Sequence, residues 1–430
     1  MSASIPINDI ARNKAYDVFL SHSSFDNDFT DKLHSLLVQA GLKVWYDEKK
    51  MMSNSHIMSD LPKYIGGSEA FIVILSKNSC GSSWVQDEYG YARGLYDKKE
   101  LKAIIPVVID DCDLPGFYNN YKWIDCKEGV TPEAFFNILA ALYGTSENMP
   151  EEKDVYVSYS WREEEQTLVN AVLRQLKRRQ YRLIGDATNN SAYDEDDRIG
   201  RIMNTCGAYV GILPYRGESN TSRYILDEIR KAQECKLPGV LFADARVENL
   251  EDFTYPLLKI ENLDIIDDTR LLNHIDTLTV KRPRTPHVFF ATNLDVERQS
   301  FNELIRNLAG VVTATRCILG EDINKGSLQQ QIIDRIRRAY VMIADITGDG
   351  QCVNCEAEGK VSKDKIFRFN TCIEAGIARG ANTDLFIIAK EPRQAPPFMF
   401  RDIEVRHYAD DCSLLAIVHK ILRGYRRSVL

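Results

Sequence analysis

Three glutamates, Glu88, Glu228 and Glu374, each follow a short apolar strand and fall on a helix-like segment. The strand segments are Asp17-Val18-Phe19-Leu20-Ser21-His22-Ser23, Asp154-Val155-Tyr156-Val157-Ser158-Tyr159-Ser160 and His287-Val288-Phe289-Phe290-Ala291-Thr292-Asn293. The helical segments read Trp84-Val85-Gln86-Asp87-Glu88-Tyr89-Gly90, Tyr224-Ile225-Leu226-Asp227-Glu228 and Glu374-Ala375-Gly376-Ile377-Ala378-Arg379-Gly380. A carboxylate fixed beside a reacting centre stabilises positive charge that develops there. Taken alone, Glu88 reads better as a surface helix carboxylate or a partner of the helix N-terminus than as a catalytic group. Its recurrence on the corresponding helix of each repeat, with an excess of residues at Gly348 to Phe367 in the third, is what singles it out.

The elements around these glutamates repeat as well. In the first stretch, strand signals at Tyr16 to Leu20, Leu42 to Tyr46, Ala70 to Leu75 and Ile104 to Ile109 alternate with helical periodicity at Phe29 to Ala40, Ile57 to Ile65, Trp84 to Leu95 and Val130 to Tyr143. Continuous apolar strands between helices imply a parallel sheet covered on both faces. Polar, proline-bearing segments at 144–153 and 281–286 read as linkers. The expected fold is therefore α/β, with three tandem flavodoxin-like parallel-sheet units at 14–145, 152–280 and 286–425, each long enough to bury its own core. In such sheets ligands sit outside the carboxyl ends of the strands. There Ser21 to Asp26, Trp45-Tyr46-Asp47 and Ser76 to Ser83 converge near Glu88.

Composition narrows the function. The 430 residues carry a net charge of −8, with 44% hydrophobic and 27% charged residues. An acidic balance argues against nucleic acid as the main partner. The basic runs Lys177 to Arg179, Arg335 to Arg338 and Arg423 to Arg427 read as solvated faces. No apolar run approaches membrane-spanning length and the N-terminus has no apolar leader, so the expectation is a cytoplasmic, reduced protein without a membrane partner.

The residues Tyr16 to His22, Val44-Trp45-Tyr46-Asp47, Ile72 to Ser76 and Ser82-Ser83-Trp84-Val85-Gln86-Asp87-Glu88 together resemble a Toll/interleukin-1 receptor (TIR) domain over nearly the whole first unit. The resemblance departs at the loop after Asp47, which lacks the glycine often found there, and at Val85, where many members carry cysteine. It implies an NAD+ glycohydrolase or ADP-ribosyl cyclase in which Glu88 is catalytic. Ser23, Phe25, Trp45, Asp47, Ser83 and Trp84 are then the expected substrate contacts. NAD+ is a substrate here, so no cofactor is expected. Nicotinamide leaves as a neutral pyridine, so one carboxylate suffices where glycosidases use two carboxyls. The resemblance further implies an antiviral defence effector, activated by a signal and by homo-oligomerisation, in which the loop after Asp47 completes a neighbour's site.

The second unit looks like a diverged TIR-like repeat, and its acidic loop at Asp194-Glu195-Asp196-Asp197 matches no metal-ligand spacing. The third unit resembles the nucleoside 2-deoxyribosyltransferase-like group through Asp345-Ile346-Thr347, Asn370 and Glu374. It implies a second ligand site at Asp345, Asn370 and Glu374, with a nucleotide signal as candidate partner. Gly320 to Ile323 is a candidate for the same rim. Cys352 and Cys355 make half a zinc site at best, with Cys317 or Cys372 as conceivable partners, and no metal is expected. His22 and His56 read as loop hydrogen bonders, and Cys80 has no base placed beside it. The alternatives left open are a non-catalytic TIR scaffold and a nucleoside-processing transferase centred on the third unit.

Overall fold

The structure is a computed structural model and describes residues 14–46, 57–113, 122–143, 154–186, 198–217, 220–248, 250, 252–280, 287–313, 315–320, 328–348, 368–391 and 397–429. The first unit runs β1 (Tyr16–Ser21), α1 (Asn27–Gln39), β2 (Val44–Trp45), α2 (Ile57–Gly66), β3 (Ser68–Leu75), α3 (Lys77–Cys80), α4 (Ser83–Asp97), β4 (Ala103–Val108), β5 (Ile124–Asp125) and α5 (Pro132–Ala141). Its sheet is parallel in the order β2-β1-β3-β4-β5. This is the flavodoxin-type order, whose topological switch lies between β1 and β3. Local chemistry sets the ends. Gly41 takes φ +80° where α1 stops, the left-handed C-terminal position that favours glycine. Ser82 caps α4, and Thr131 caps α5 with Pro132 following, as orphan N–H groups require.

The second unit contains β6 (Asp154–Ser158), α6 (Gln166–Arg178), β7 (Arg182–Asp186), α7 (Arg198–Asn204), β8 (Ala208–Leu213), α8 (Arg223–Glu234), β9 (Gly239–Asp244), β10 (Leu257–Ile260) and α9 (Asp268–Ile275). The third contains β11 (His287–Ala291), α10 (Gln299–Thr313), β12 (Arg316–Ile318), α11 (Leu328–Arg338), β13 (Val341–Asp345), α12 (Phe369–Gly380), β14 (Asp384–Lys390), β15 (Val405–Tyr408) and α13 (Asp411–Arg423). Its sheet order, β12-β11-β13-β14-β15, repeats that of the first unit. The last strand, β16 (Arg427–Val429), leaves the third unit and pairs antiparallel with β7 at the edge of the second unit's sheet.

The second unit buries its own core, and the first and third each keep a cluster of their own, but on one face these two share a core. Leu33 and Leu37 of α1, Phe135 and Ile138 of α5, Leu308 and Val312 of α10, and Leu415 and Val418 of α13 belong to one continuous buried cluster. The pairing is reciprocal: α1 packs on α13, and α5 packs on α10 and α13. First and last helices of one unit thus meet last and first helices of the other. Polar contacts seal the seam. Arg423 donates to Asp17 at 2.5 and 3.0 Å and to the Gly41 carbonyl at 2.8 Å. His419 contacts the Ala40 carbonyl at 2.7 Å and Tyr143 Oη at 2.6 Å. Burial, reinforced by the Arg423 charge, lowers the His419 pKa to about 3. The basic run at 423–427 is therefore not a solvated face: Arg423 is 4% exposed, and Arg426 lies over the Tyr143 ring.

Candidate functional site

Glu88 sits on the second turn of α4, on the side turned to the sheet, and is only 3% exposed. Ser21, the last residue of β1, donates from Oγ to Glu88 Oε2 at 2.5 Å. Trp84, one turn earlier on α4, donates from Nε1 to Oε1 at 2.7 Å. Register places Ser21 beside Val73 of β3, so the carboxylate lies at the switch between these strands. The loops of this rim are tied together. Ser76 Oγ and Asn78 Nδ2 donate to the Asp26 carboxylate at 2.6 and 2.8 Å. The Lys77 N–H, at the start of α3, donates to Asp110.

The other sequence candidates fall into distinct places. Ser23 is buried and caps the turn Ser24–Asp26 by accepting the Phe25 N–H. Phe25, on that turn, is 83% exposed. Trp45 stacks on Phe19 at 4.4 Å and on Tyr64 at 5.0 Å, and packs with Trp84 against one buried cluster. Ser83 is exposed on the first turn of α4, where its neighbour Ser82 supplies the cap. Asp47, the loop behind it and His56 lie outside the described residues. His22 bonds Asn27 Oδ1, and burial lowers its pKa. Cys80 is pushed up to about 12, first by burial and then by the neighbouring Cys112 thiol; a thiol so held is a poor nucleophile. Sequence reasoning missed Ser21 as the partner of Glu88. The available signal was a serine ending the first strand in both leading units.

The second unit repeats the arrangement and closes it. Tyr156 Oη donates to Glu228 Oε1 at 2.7 Å, and Ser158 Oγ donates to Oε2. Tyr156 occupies the register position of Phe19: one pairs with Tyr209, the other with Phe71. Glu228 is 4% exposed, and burial raises its pKa. Arg216 is bidentate on Glu165 and Arg246 on Asp244 along the same rim. Replacing Tyr156 by Phe, the residue type of the first unit, removes one donor from Glu228 while Ser158 and Tyr224 remain, at a cost of about 1 kcal/mol. Chemical denaturation reads this, and an unchanged midpoint would contradict it.

In the third unit Asp345 is buried and spent: it accepts from the Thr347 N–H, from Thr347 Oγ1 and from Tyr408 Oη at 3.1, 2.5 and 2.9 Å. Glu374 is partly buried while Asn370 is exposed. Glycine 320 is described, but Glu321 to Ile323, Cys352, Cys355 and the acidic loop of the second unit are not. Among the described residues no cluster of three or more His, Cys, Asp or Glu side chains could hold a metal ion. Burial raises the Glu374 pKa to about 7. Its folded value exceeds its unfolded one, so the folded state binds the extra proton. Stability should therefore fall as pH rises from about 4.5 through 7. Denaturation midpoints at pH 5 and pH 8 check this: the difference should shrink in Glu374→Gln.

The first unit thus defines a parallel α/β domain with one carboxylate held at its switch point. Residues 18–140 match the family model for the TIR domain, and the N-terminal unit is a TIR domain. Over 130 residues the chain is 33% identical to a probable 2′ cyclic ADP-D-ribose synthase, TcpO, of Methanobrevibacter olleyae, covering 29% of this chain and 38% of that protein. It is 29% identical over 132 residues to a probable 3′ cyclic ADP-D-ribose synthase, ThsB′, of Bacillus cereus (29% and 66%). It is 37% identical over 93 residues to the NAD(+) hydrolase TirS of Staphylococcus aureus (21% and 33%). The chain spans between a third and two thirds of the length of these relatives. No helix among the described residues is long and apolar enough to cross a membrane.

Proposed function

We propose that the first unit cleaves the bond between nicotinamide and ribose in NAD+, as a glycohydrolase or an ADP-ribosyl cyclase, with Glu88 as the catalytic residue. The observation that carries this reading is the Glu88 carboxylate, buried at the switch point with one oxygen held by a strand hydroxyl and the other by an indole N–H. The nicotinamide ring of NAD+ is already cationic and leaves neutral, so the site must supply negative charge beside the ribose as cationic character grows. At 3% exposure Glu88 meets the ribose only after one of its donors gives way. Phe25, exposed on the same rim, is placed to cover a ring. Trp45, Trp84, Ser23, Ser83 and Asp47 complete the proposed surroundings. Relatives named NAD(+) hydrolase and cyclic ADP-D-ribose synthase support the reaction class.

The second unit, whose glutamate has both oxygens held by residues of β6, is assigned no catalysis. The third is assigned a signal site at Asn370 and Glu374, with Asp345 as its structural floor. The whole is read as a cytoplasmic antiviral effector that works as a homo-oligomer. The test is incubation of the full chain with NAD+, following nicotinamide and separating linear from cyclic products. Release kept in Glu374→Gln supports catalysis in the first unit; release lost there moves the chemistry to the third. No release, with crowding agents or added nucleotides present, leaves the non-catalytic scaffold.

A further inference from the structure

The contacts of Glu88 divide its two oxygens between different parts of the fold. Trp84 lies on the same helix, so its hold on Oε1 travels with α4. Ser21 belongs to β1, is 1% exposed and is fixed by strand pairing to β3, so its hold on Oε2 refers the carboxylate to the sheet. The three units vary this arrangement. In the second, Ser158 keeps the bond to Oε2, and Oε1 accepts from Tyr156 of the same strand, so both oxygens are referred to the sheet. In the third, Ala291 ends the first strand at the matching register position and has no hydroxyl to offer.

We propose that Ser21 is a positioning residue for the NAD+ chemistry: it anchors Glu88 Oε2 to the sheet and keeps the carboxylate ionised, leaving Oε1 to exchange the Trp84 indole for the substrate. The inference rests on the reading of Glu88 as catalytic. Its physical basis is twofold. A hydroxyl that donates to a carboxylate favours the charged form, and a carboxylate misplaced by a fraction of an ångström loses much of its effect on a developing charge.

The experiment compares the full-length wild type, Glu88→Gln, Ser21→Ala and Ser21→Thr by nicotinamide release against pH and NAD+ concentration. Ser21→Ala should lose about 10- to 100-fold in kcat with KM within about threefold. Its acid limb should move to higher pH, since protonation of the carboxylate becomes easier. Ser21→Thr, which keeps the hydroxyl, should recover both. A merely structural serine would leave the acid limb where it is, so Ser21→Ala with the wild-type limb and kcat overturns the proposal and spares the catalytic reading. A wild type whose release does not depend on Glu88 overturns both.

Discussion

Glu88→Gln should abolish nearly all cleavage of NAD+, by about 100- to 1,000-fold in kcat, the range seen when one preorganised charge-stabilising group is removed. The change is nearly isosteric, and the site can absorb it. The amide oxygen can still accept the Trp84 N–H, and the Ser21 hydroxyl can turn to accept from the amide nitrogen. Both hydrogen bonds survive, so the folded state should lose about 1 kcal/mol or less. What disappears is the full negative charge, at a site from which water is largely excluded and where that charge acts most strongly. Nicotinamide release paired with a denaturation curve separates the two effects. A Gln variant that cleaves at the wild-type rate, folded as well as the parent, would remove Glu88 from the chemistry.

The repeated strands were legible because β1, β3 and β4 are buried on both faces and read as unbroken apolar runs. Edge strands were legible only in part: Leu42 to Tyr46 reads as a strand and contains β2, but β5 and β10 do not stand out. β5 has two residues, and the exposed edge strand β10 keeps only Ile260 fully buried. The pairing of Trp84 with Glu88 follows from helical spacing. Ser21 does not, because its contact to Glu88 spans 67 residues and exists only once β1 lies beside β3. Helix α13 misleads for a related reason. It is buried nearly all round because it faces both the third unit's sheet and the helices of the first. His419 and Arg423 then become interior groups, although their types suggest a wet surface. Composition reports what a side chain prefers alone; it does not report a partner hundreds of residues away.

That partner makes Arg423→Ala the largest stability change expected in the chain. Asp17 is 6% exposed and accepts both Arg423 nitrogens along with the Lys43 N–H. Removing the guanidinium strands a buried carboxylate, which costs about 3–5 kcal/mol. The second unit marks the comparison: the matching aspartate, Asp154, is satisfied inside its own unit by Arg182 at 2.7 and 2.9 Å. In the first unit that service comes from α13, so the loss weakens the seam between units and not only one side chain. Chemical denaturation should show a lowered midpoint and a first-unit transition separated from the rest. Asp17→Asn combined with Arg423→Met, which removes both charges and keeps apolar volume, should recover most of the loss. Arg426→Ala, a half-buried cation stacked over Tyr143 at 4.5 Å, should cost only about 0.5–1 kcal/mol. Equal midpoints for Arg423→Ala and the parent would mean that the seam is not what joins the first unit to the third. If the double variant were as unstable as the single one, the loss would lie in packing around α13 and not in the uncompensated charge of Asp17.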